Sequence, residues 1–415
     1  MNSQASHNFH DIDPHHCTFC GTCVGICPCD ALIIQNEEVS QKSDCNNCGL
    51  CYEICPGRAI DFSCLNNVLF EAKDCDSRIG FYRMITRGYS SDDSIRKNAS
   101  SGGVVTALLI SLLDKGLIDG AIIVGTSTTE PLKPEVRIAR SREEIIHASQ
   151  SKYCLVPVNA IFRKLRHEEG KFAFVGLPCH IHGLRKLQLL NRPESRKILL
   201  MIGLFCGFTM HFEGTEFLLK KMGIEKNEVM DLKYRGNGHP GGFFVKTKNN
   251  EYFLDKHIYN LINPVFIPKR CLVCPDLTNE FADISVGDIW KKSDQNGWSS
   301  IIIRTSLGQE VFDNATQGRY LINENLHYDD LIASHRHLIK YKKEYIRPRL
   351  NIIRPNINYG LLTIDQNFST RIAGYFYGYL LLILSSSLFK ACFSYVPLWL
   401  IDRLARIINH RIREV

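Results

Sequence analysis

The stretch CTFCGTCVGICP, residues 17–28, decides how the first part of the chain folds, and CNNCGLCYEICP repeats its spacing at residues 45–56. Both stretches read C-x2-C-x2-C-x3-C-P. This pattern is typical of proteins that bind two 4Fe-4S clusters, because three thiolates in one loop hold one cube and the fourth thiolate ligates the other. We therefore expect two quartets of ligands, the first being Cys17, Cys20, Cys23 and Cys55 and the second Cys45, Cys48, Cys51 and Cys27.

Paired zinc sites are the alternative interpretation of this repeat. A zinc site, however, needs only four thiolates and no second set that interleaves with the first. The stretch from about residue 10 to residue 65 resembles bacterial-type two-cluster ferredoxins, which predicts an α+β ferredoxin-like domain over residues 1–75. Two adjacent clusters indicate a one-electron relay rather than a catalytic centre.

The composition excludes several classes of protein. With 415 residues, 45% of them hydrophobic, the chain is long enough for two or three globular domains. Its 17 cysteines do not suggest a secreted disulfide scaffold, because the first residues lack the apolar segment of a signal peptide. We expect a cytoplasmic protein with metal-bound thiolates. The net charge of +7 comes without a basic block interleaved with aromatics before the C-terminal tail, so no nucleic acid is expected as a partner.

Residues 76–345 alternate apolar strands with amphipathic helices, which predicts an α/β domain with a largely parallel or mixed sheet. The segment NASSGGVVTALLISLLDKG, residues 98–116, predicts a helix with Ser100 or Ser101 as its N-cap, leading into a strand at 121–125. Gly102 and Gly103 follow the serines. Such a start leaves backbone N–H groups open at the helix terminus, which favours a phosphate, with plain helix capping as the alternative.

Four further cysteines indicate a third cluster. Cys179 and Cys206 each lie in a predicted loop directly after a buried strand, so they are expected at the carboxyl edge of the sheet, where sites assemble. Cys271 and Cys274 add a C-x2-C pair. Four thiolates from three segments would complete another 4Fe-4S site, and the alternative is a redox dithiol with isolated buried cysteines.

Seven motifs carry a family resemblance over about residues 80–320: SSGGVVTALL, QSKYC, GLPCHIHGLRK, GLFCG, YRGNGHPGG, CLVCPDLTNEFADISVGD and NGWSSIIIRT. In this order they resemble the family of beta subunits of coenzyme F420 hydrogenases and dehydrogenases. The resemblance implies a flavin-binding domain with one FAD and a third 4Fe-4S cluster on Cys179, Cys206, Cys271 and Cys274. It also implies that Ser101, Gly102 and Gly103 approach the flavin and that Lys152 and Tyr153 line its surroundings, with an ordinary surface loop as the alternative for that pair.

Three histidines near these motifs depart from the pattern of the family. We interpret His239 as a polar loop residue, because lone histidines are usually structural or exposed, and the alternative is a proton donor. His180 and His182 follow Cys179 and are candidates to tune the third cluster through hydrogen bonds to its sulfides.

These features predict an oxidoreductase that couples hydride chemistry at FAD, with reduced coenzyme F420, to one-electron transfer through the clusters to a protein acceptor, or the reverse. One alternative is a ferredoxin-dependent flavin reductase of another conjugated organic substrate. The other is a non-catalytic electron-transfer subunit of a larger complex. Hydride transfer itself needs no acid or base, so the sequence predicts no catalytic residue.

Residues 346–415 predict a helical extension. Residues 372–389 are uncharged and lie between Arg371 and Lys390, which is near the lower limit of about 17 residues for a membrane span. A basic amphipathic end, DRLARIINHRIREV, follows at residues 402–415. We expect this extension to lie peripherally on the cytoplasmic face of a membrane. The alternative is a pair of helices buried against the domain or a subunit partner.

Overall fold

The computed structural model describes residues 7–72, 75–127, 129–289, 297–355, 357, 359–360 and 367–414. Its N-terminal part combines short helices with one antiparallel hairpin, in line with the expected α+β arrangement. The elements are α1 (Thr22–Ile26), β1 (Leu32–Gln35), β2 (Glu38–Gln41), α2 (Leu50–Glu53) and α3 (Phe62–Phe70). The domain boundaries at residues 75 and 345 stay predictions.

The body is built on one eight-stranded mixed sheet, which confirms the expected α/β class. Its strands run in the order β13-β3-β12-β11-β7-β6-β4-β5. They are β3 (Met84–Ser90), β4 (Gly120–Thr126), β5 (Pro134–Ala139), β6 (Phe172–Gly176), β7 (Ile198–Leu204), β11 (Ile284–Asp288), β12 (Ser299–Ile303) and β13 (Leu321–Asn325). Neighbours β11, β7, β6 and β4 are parallel, while β12, β13 and β5 run antiparallel to their neighbours.

A second sheet stands beside the first. It is antiparallel and consists of β8 (Val229–Gly236), β9 (Gly242–Thr247) and β10 (Glu251–Asp255). The helices of the body are α4 (Asp93–Asn98), α5 (Val104–Asp114), α6 (Arg142–His147), α7 (Phe162–Leu165), α8 (Pro178–Leu189), α9 (Pro193–Arg196), α10 (Glu213–Lys221), α11 (Tyr259–Phe266), α12 (Lys269–Leu272), α13 (Ser306–Gln317), α14 (Tyr328–Ser334), α15 (Arg336–Ile339) and α16 (Ile346–Ile353). A π-helical turn, Lys340–Glu344, connects α15 to α16.

Two local expectations were wrong. Helix α5 begins at Val104, and Gly103 in the left-handed conformation is its N-cap instead of Ser100 or Ser101. The reason is that Ser101 Oγ donates to the Trp298 carbonyl at 2.6 Å and is not available to cap the helix. Cys179 does not lie in a loop but in the first turn of α8, because Pro178 starts that helix directly after β6.

The N-terminal part packs tightly on the body. A Cβ atom at Gly21 would lie 2.7 Å from Ala160 N, and one at Gly25 would lie 2.1 Å from Asn159 O, so only glycine allows this approach. Asn159 also donates its amide to Thr22 Oγ1 at 2.8 Å. Apolar side chains of the N-terminal part join the main core of the body, among them Ile26, Ile54, Ile60, Phe62 and Leu65. The N-terminal part is therefore in direct contact with residues 159–160 and shares one core with the body.

The C-terminal extension consists of α17 (Phe368–Leu384), α18 (Ser387–Phe393) and α19 (Leu398–Glu414), which confirms its helical nature. Helix α17 packs on α16 through Gly374 and Gly378. Within the described ranges, no one helix combines the length and the apolar composition needed to cross a bilayer. Helices α17 and α18 satisfy both requirements only when they are counted as one segment, and that segment is bent by 65° between the two helices.

Candidate electron-transfer site

The two cysteine loops have the same backbone, as their repeated spacing predicts. Phe19 and Asn47 occupy equivalent positions and have positive φ angles of 54° and 53°. Their N–H groups each donate to the cysteine two residues before, at 3.4 Å from Cys17 Sγ and Cys45 Sγ. Each loop thus wraps its sulfurs within one turn of backbone.

The first quartet comes together as the spacing predicts. Burial raises the pKa of Cys17 to about 12, and the neighbouring thiols of Cys20 and Cys55 add to the rise. Burial likewise raises the pKa of Cys23 well above its usual range, with contributions from the same neighbours. Cys55, from the second loop, therefore lies with the three cysteines of the first loop, which is the exchanged arrangement of two-cluster ferredoxins.

The second quartet borders a single hollow at the surface. All four of its cysteines line that hollow, together with Phe9 and the loop before α2: Cys27, Cys45, Cys48 and Cys51. Burial raises the pKa of Cys51 to about 11, with added contributions from the other three thiols. Cys48 is exposed. This hollow fits a cluster that four thiolates hold at the protein surface.

The third quartet also assembles as predicted, at the carboxyl edge of the main sheet. Cys179 follows β6, and Cys206 follows β7 and donates its N–H to the Leu277 carbonyl at 2.8 Å. Burial raises the pKa of Cys206 to about 12, and the thiols of Cys271 and Cys274 contribute to the rise. Among the described residues, no three His, Cys, Asp or Glu side chains are close enough to hold a single metal ion.

Buried cations surround the third quartet and fit a negatively charged cluster. Lys342 lies on the π-helical turn and is 1% exposed. Burial opposes its charge, yet the thiols of Cys274, Cys206 and Cys271 raise the pKa of Lys342. Arg270 is also buried, and its Nε and Nη1 have no hydrogen-bond partner among the described residues. Such unpaired donors are costly unless an anion accepts them, and cluster sulfides are suitable acceptors.

The first quartet adjoins both of the other quartets. Cys51 of the second quartet is among the neighbours that raise the pKa of Cys23 in the first quartet. Cys20 of the first quartet is, after burial, the largest contribution to the raised pKa of Cys179 in the third quartet. The first quartet therefore stands between the other two. A one-electron path would run from the second quartet through the first quartet, both in the N-terminal part, to the third quartet in the body.

The two histidines after Cys179 have other partners than cluster sulfides. His180 Nδ1 accepts the N–H of Leu177 at 3.1 Å, and its Nε2 lies 3.0 Å from the Val156 carbonyl. His182 Nε2 lies 2.9 Å from Asp276 Oδ2. The interpretation of His180 as a donor to the cluster was therefore wrong, because both of its ring nitrogens are engaged by the backbone.

The predicted cofactor residues gather beside the third quartet, around the guanidinium of Arg235. Arg235 Nη1 donates to the Tyr153 hydroxyl at 3.0 Å and to Asp288 Oδ2 at 2.9 Å, and its Nη2 donates to the Ser100 carbonyl. His239 lies in the loop between β8 and β9, as expected of a polar loop residue, and its Nδ1 is 3.2 Å from that same carbonyl. The guanidinium thus joins three motifs that are far apart in the sequence.

The glycines at the start of α5 have a packing role of their own. A Cβ atom at Gly102 would lie 2.5 Å from Gly88 O, and Gly102 N donates to Ser299 Oγ at 3.1 Å. The segment is therefore pressed against β3 and β12 at the carboxyl edge of the sheet. The Ser100 hydroxyl accepts the N–H of Ser151 at 2.9 Å. The Ser101 hydroxyl donates within the protein, so an anion here would rely on backbone N–H groups and on the Ser100 O–H, because Ser100 Oγ acts only as an acceptor toward Ser151.

Lys152 is tied to the backbone that follows α6. Its ammonium donates to the carbonyls of Ala148, Ser149 and Gln150 at 2.7, 2.7 and 3.0 Å. Burial lowers the pKa of Lys152 to about 7. Lys152 is thus not an ordinary surface lysine. It holds the loop that presents Tyr153 to Arg235.

The cofactor residues and the third quartet occupy the ends of neighbouring strands. Phe205, next to Cys206, packs directly on Gly287, where a Cβ atom would lie 2.2 Å from its ring. Asp288 is the next residue after Gly287 and pairs with Arg235. Phe205, the neighbour of Cys206, therefore contacts the strand that carries Asp288.

Sequence reasoning missed the polar groups that organise this region. Arg235 lies in the motif YRGNGHPGG and Asp288 ends β11, and an Arg–Asp pair at strand ends is a signal that could have been tested. Lys342 and Arg270 have no local signal, because the tertiary fold alone brings them to the cysteines. Asn296, the first residue of NGWSSIIIRT, lies outside the described residues.

Three family models match this chain. The model for the N-terminal part of the coenzyme F420 hydrogenase/dehydrogenase beta subunit matches residues 85–163, and the model for its C terminus matches residues 169–328. The 4Fe-4S binding domain matches residues 10–33 and 40–61. The cysteine loops are thus 4Fe-4S loops, which decides against the zinc alternative.

Several relatives support the same conclusion. The beta subunit of the coenzyme F420 hydrogenase of Methanothermobacter thermautotrophicus is 31% identical over 58% of this chain and 83% of its own length. One subunit of the F(420)H(2) dehydrogenase of Methanosarcina mazei is 30% identical over 73% of this chain and 82% of its own. The coenzyme F420-dependent sulfite reductase of Methanocaldococcus jannaschii is 30% identical over 82% of this chain but only 52% of its own length.

The fold has a solved counterpart. A chain of the F420-reducing [NiFe] hydrogenase complex from Methanosarcina barkeri superposes with a TM-score of 0.56 at 23% identity, covering 69% of this chain and 99% of that one. At this identity the likeness concerns the fold alone. Taken with the family models and the sequence relatives, it leads to one conclusion: the chain is an iron–sulfur oxidoreductase that belongs to the family of coenzyme F420 hydrogenase/dehydrogenase beta subunits.

Proposed function

We propose that this chain couples two-electron hydride chemistry at FAD to one-electron transfer through three 4Fe-4S clusters. Reduced coenzyme F420 is the proposed hydride donor, and a protein is the proposed electron acceptor. The same cofactors could also carry electrons in the reverse direction, from the protein partner to F420. FAD, when bound, supplies the exchange between a hydride and single electrons. The observation that supports the proposal most is the adjacency of the three quartets, the third of which lies at strand ends next to β11, the strand that carries Asp288, the partner of Arg235.

The residues around Arg235 would hold FAD. Gly102 and Gly103 bring the backbone at the start of α5 to the sheet edge, where its N–H groups favour a phosphate. Arg235 orients the Tyr153 hydroxyl, and Lys152 fixes the loop that carries it. These donors and cations suit an anionic, ring-bearing cofactor. No side chain is assigned as an acid or base, because hydride transfer does not require one.

The electron partner would dock at the second quartet. Cys48 is exposed there, whereas Cys20 of the first quartet is buried and the four cysteines of the third quartet are at most partly exposed. Relatives are named as subunits of a hydrogenase and a dehydrogenase. Another subunit or a soluble electron-transfer protein is therefore the proposed partner of this chain. The proposed location is the cytoplasm, with the C-terminal extension at the inner membrane surface.

Anaerobic mixing with reduced coenzyme F420 tests the proposal. Protein reconstituted with iron, sulfide and FAD should contain about 12 irons per chain if three cubes are present. Reduced F420 should then bleach the flavin and cluster absorbance in sequence. A substrate other than F420 is indicated if reduced ferredoxin bleaches the same bands while F420 stays unreacted. Failure to turn over F420 with a small artificial acceptor, despite bleaching by other reductants, would favour the non-catalytic subunit.

A further inference from the structure

Helix α17 has two faces of different kind. Its inner face packs closely on α16 at two glycines. A Cβ atom at Gly374 would lie 2.7 Å from Pro348 Cγ, and one at Gly378 would lie 2.8 Å from Ile352 Cδ1. The opposite face carries large apolar side chains, each exposed over more than half of its surface: Phe368, Ile372, Phe376, Tyr379 and Ile383. We call these five residues the apolar face.

The spacing of the apolar face puts it in one stripe. Successive members are three or four residues apart, so their side chains stack along a single side of the helix. A stripe of this size is unusual on a protein surface that meets only water. The rest of the extension exposes further aromatic side chains, notably Tyr395 and Trp399. Tyrosine and tryptophan are the residues that membrane interfaces prefer.

The charged residues of α17 and α18 are all basic. Residues 367–401 contain no Asp or Glu, whereas Arg371 is exposed next to the apolar face and Arg403 is exposed on α19. A second copy of the chain is a poor occupant, because a two-fold contact would place this acid-free surface against itself. Anionic lipid headgroups, by contrast, complement it.

We propose that the apolar face of α17 docks on a bilayer that contains anionic lipids. The helix would lie along the membrane surface, with the stripe at the boundary of headgroups and acyl chains and α16 behind it. It would not be surrounded by lipid, because Gly374 and Gly378 already pack on protein.

This docking would bring the third quartet near the membrane. Leu381 and Leu382, on α17, belong to the same apolar cluster as Tyr341 and Cys271. Helix α17 therefore lies between the stripe and an apolar cluster that contains Cys271 of the third quartet. This consequence rests on the proposed function, because it matters only if the quartet holds a cluster. The docking itself does not.

Vesicle flotation with the full-length reconstituted protein tests the inference. Vesicles of phosphatidylcholine with phosphatidylglycerol are compared with vesicles of phosphatidylcholine alone. The double variant Phe376→Gln/Ile383→Gln removes the centre of the apolar face, and Met230→Gln/Phe253→Gln, at exposed apolar positions of the second sheet, is its matched control. Arg371→Gln/Arg403→Gln removes the exposed charges, with Lys220→Gln/Lys248→Gln as the control.

The wild type and both controls should float with the anionic vesicles. The apolar-face variant should bind them at least tenfold more weakly, and the charge variant should lose the preference for anionic lipid. Equal binding of wild type and apolar-face variant, or no binding to either vesicle, would overturn the inference. So would a lipid-free dimer that the apolar-face variant abolishes, since a second copy would then be the occupant. All variants should oxidise reduced F420 with a soluble dye at the wild-type rate. If the proposed substrate is wrong, this activity is absent from every variant and from the wild type, whereas the flotation result is unaffected.

Discussion

Arg235 and Asp288 form an ion pair, with Nη1 2.9 Å from Oδ2, that ties the second sheet to the carboxyl end of β11. The Arg235 side chain is fully buried, while that of Asp288 keeps 22% of its surface exposed. Burial opposes the charge of Asp288, but the neighbouring guanidinium prevails and holds the pKa of Asp288 below its usual value. Because the same guanidinium binds Tyr153 and Ser100, this pair orders the whole candidate cofactor region.

Replacing Arg235 by Met should destabilise the protein and reduce its flavin content. The change leaves the Asp288 carboxylate without its counter-ion, and since that carboxylate is partly exposed we expect a cost of about 3 kcal/mol in unfolding free energy. Arg235→Lys keeps the charge but not all the hydrogen bonds, so about 1 to 2 kcal/mol should be lost. Denaturant unfolding and the flavin-to-protein ratio measure both effects. Full flavin retention in Arg235→Met would contradict the assigned role.

Gly102→Ala should disturb the same region through sterics alone. The new methyl group would stand 2.5 Å from Gly88 O and 3.0 Å from Ser299 N, and neither strand backbone can yield cheaply. We expect a loss of about 1 to 3 kcal/mol and a lower flavin-to-protein ratio. Gly116→Ala is the control, because it meets nothing within 4 Å and adds only the strain of a positive φ, 64°. The control should lose stability without losing flavin.

The two N-terminal quartets were predictable because their ligands are local, within a spacing that the backbone repeats at Phe19 and Asn47. The third quartet followed from a topological argument, since Cys179 and Cys206 end neighbouring parallel strands. The N-cap of α5 was mispredicted because a distant carbonyl, that of Trp298, competes for Ser101. Competition and pairing of this kind depend on the tertiary fold, which no local pattern encodes.

Cys206→Ser should remove one cluster and leave the others. Serine keeps the shape of the side chain but is a poor ligand for iron, so the iron content of reconstituted protein should fall from about 12 to about 8 per chain. Cys64→Ser, at an exposed cysteine outside all three quartets, should leave it unchanged. Iron analysis and low-temperature electron paramagnetic resonance follow the change. An unaltered iron content in Cys206→Ser would mean that no third cluster uses this thiol.

Lys342→Met should make the third cluster harder to reduce. The buried ammonium faces Cys274, Cys206 and Cys271, and its loss removes a favourable interaction with the added electron. An interaction of about 1 to 2 kcal/mol corresponds to a potential lower by roughly 40 to 90 mV for a one-electron couple. Lys248→Met, at an exposed site, should shift nothing. Redox titration of the cluster signals measures the shift, and a potential that rises would contradict the placement of Lys342.

Asp402 anchors helix α19 to the body and should do so only in its charged form. Its Oδ1 lies 2.7 Å from His257 Nε2, and its Oδ2 accepts from Arg406 Nε at 2.8 Å, while His257 Nδ1 lies 2.6 Å from Asp255. Asp402→Asn should weaken the anchor by about 1 to 2 kcal/mol, which raises amide hydrogen exchange in α19 by roughly 5- to 30-fold. Glu251→Gln, on β10, is the control and should leave that exchange unchanged.

The pH dependence of this anchor has a definite sign. Burial of Asp402 opposes its charge, but Arg406 and His257 outweigh that effect, so the pKa of Asp402 lies below the usual aspartate value of about 3.9. A group with a lowered folded-state pKa stabilises the fold fully above the unfolded value and loses that contribution as the pH falls through the folded one. Exchange in α19, corrected for its intrinsic rate, should therefore be constant above about pH 5 and rise below about pH 4 in the wild type. In Asp402→Asn the rise in amide exchange at low pH should be absent. If the rise persists in this variant, a group other than Asp402 causes it.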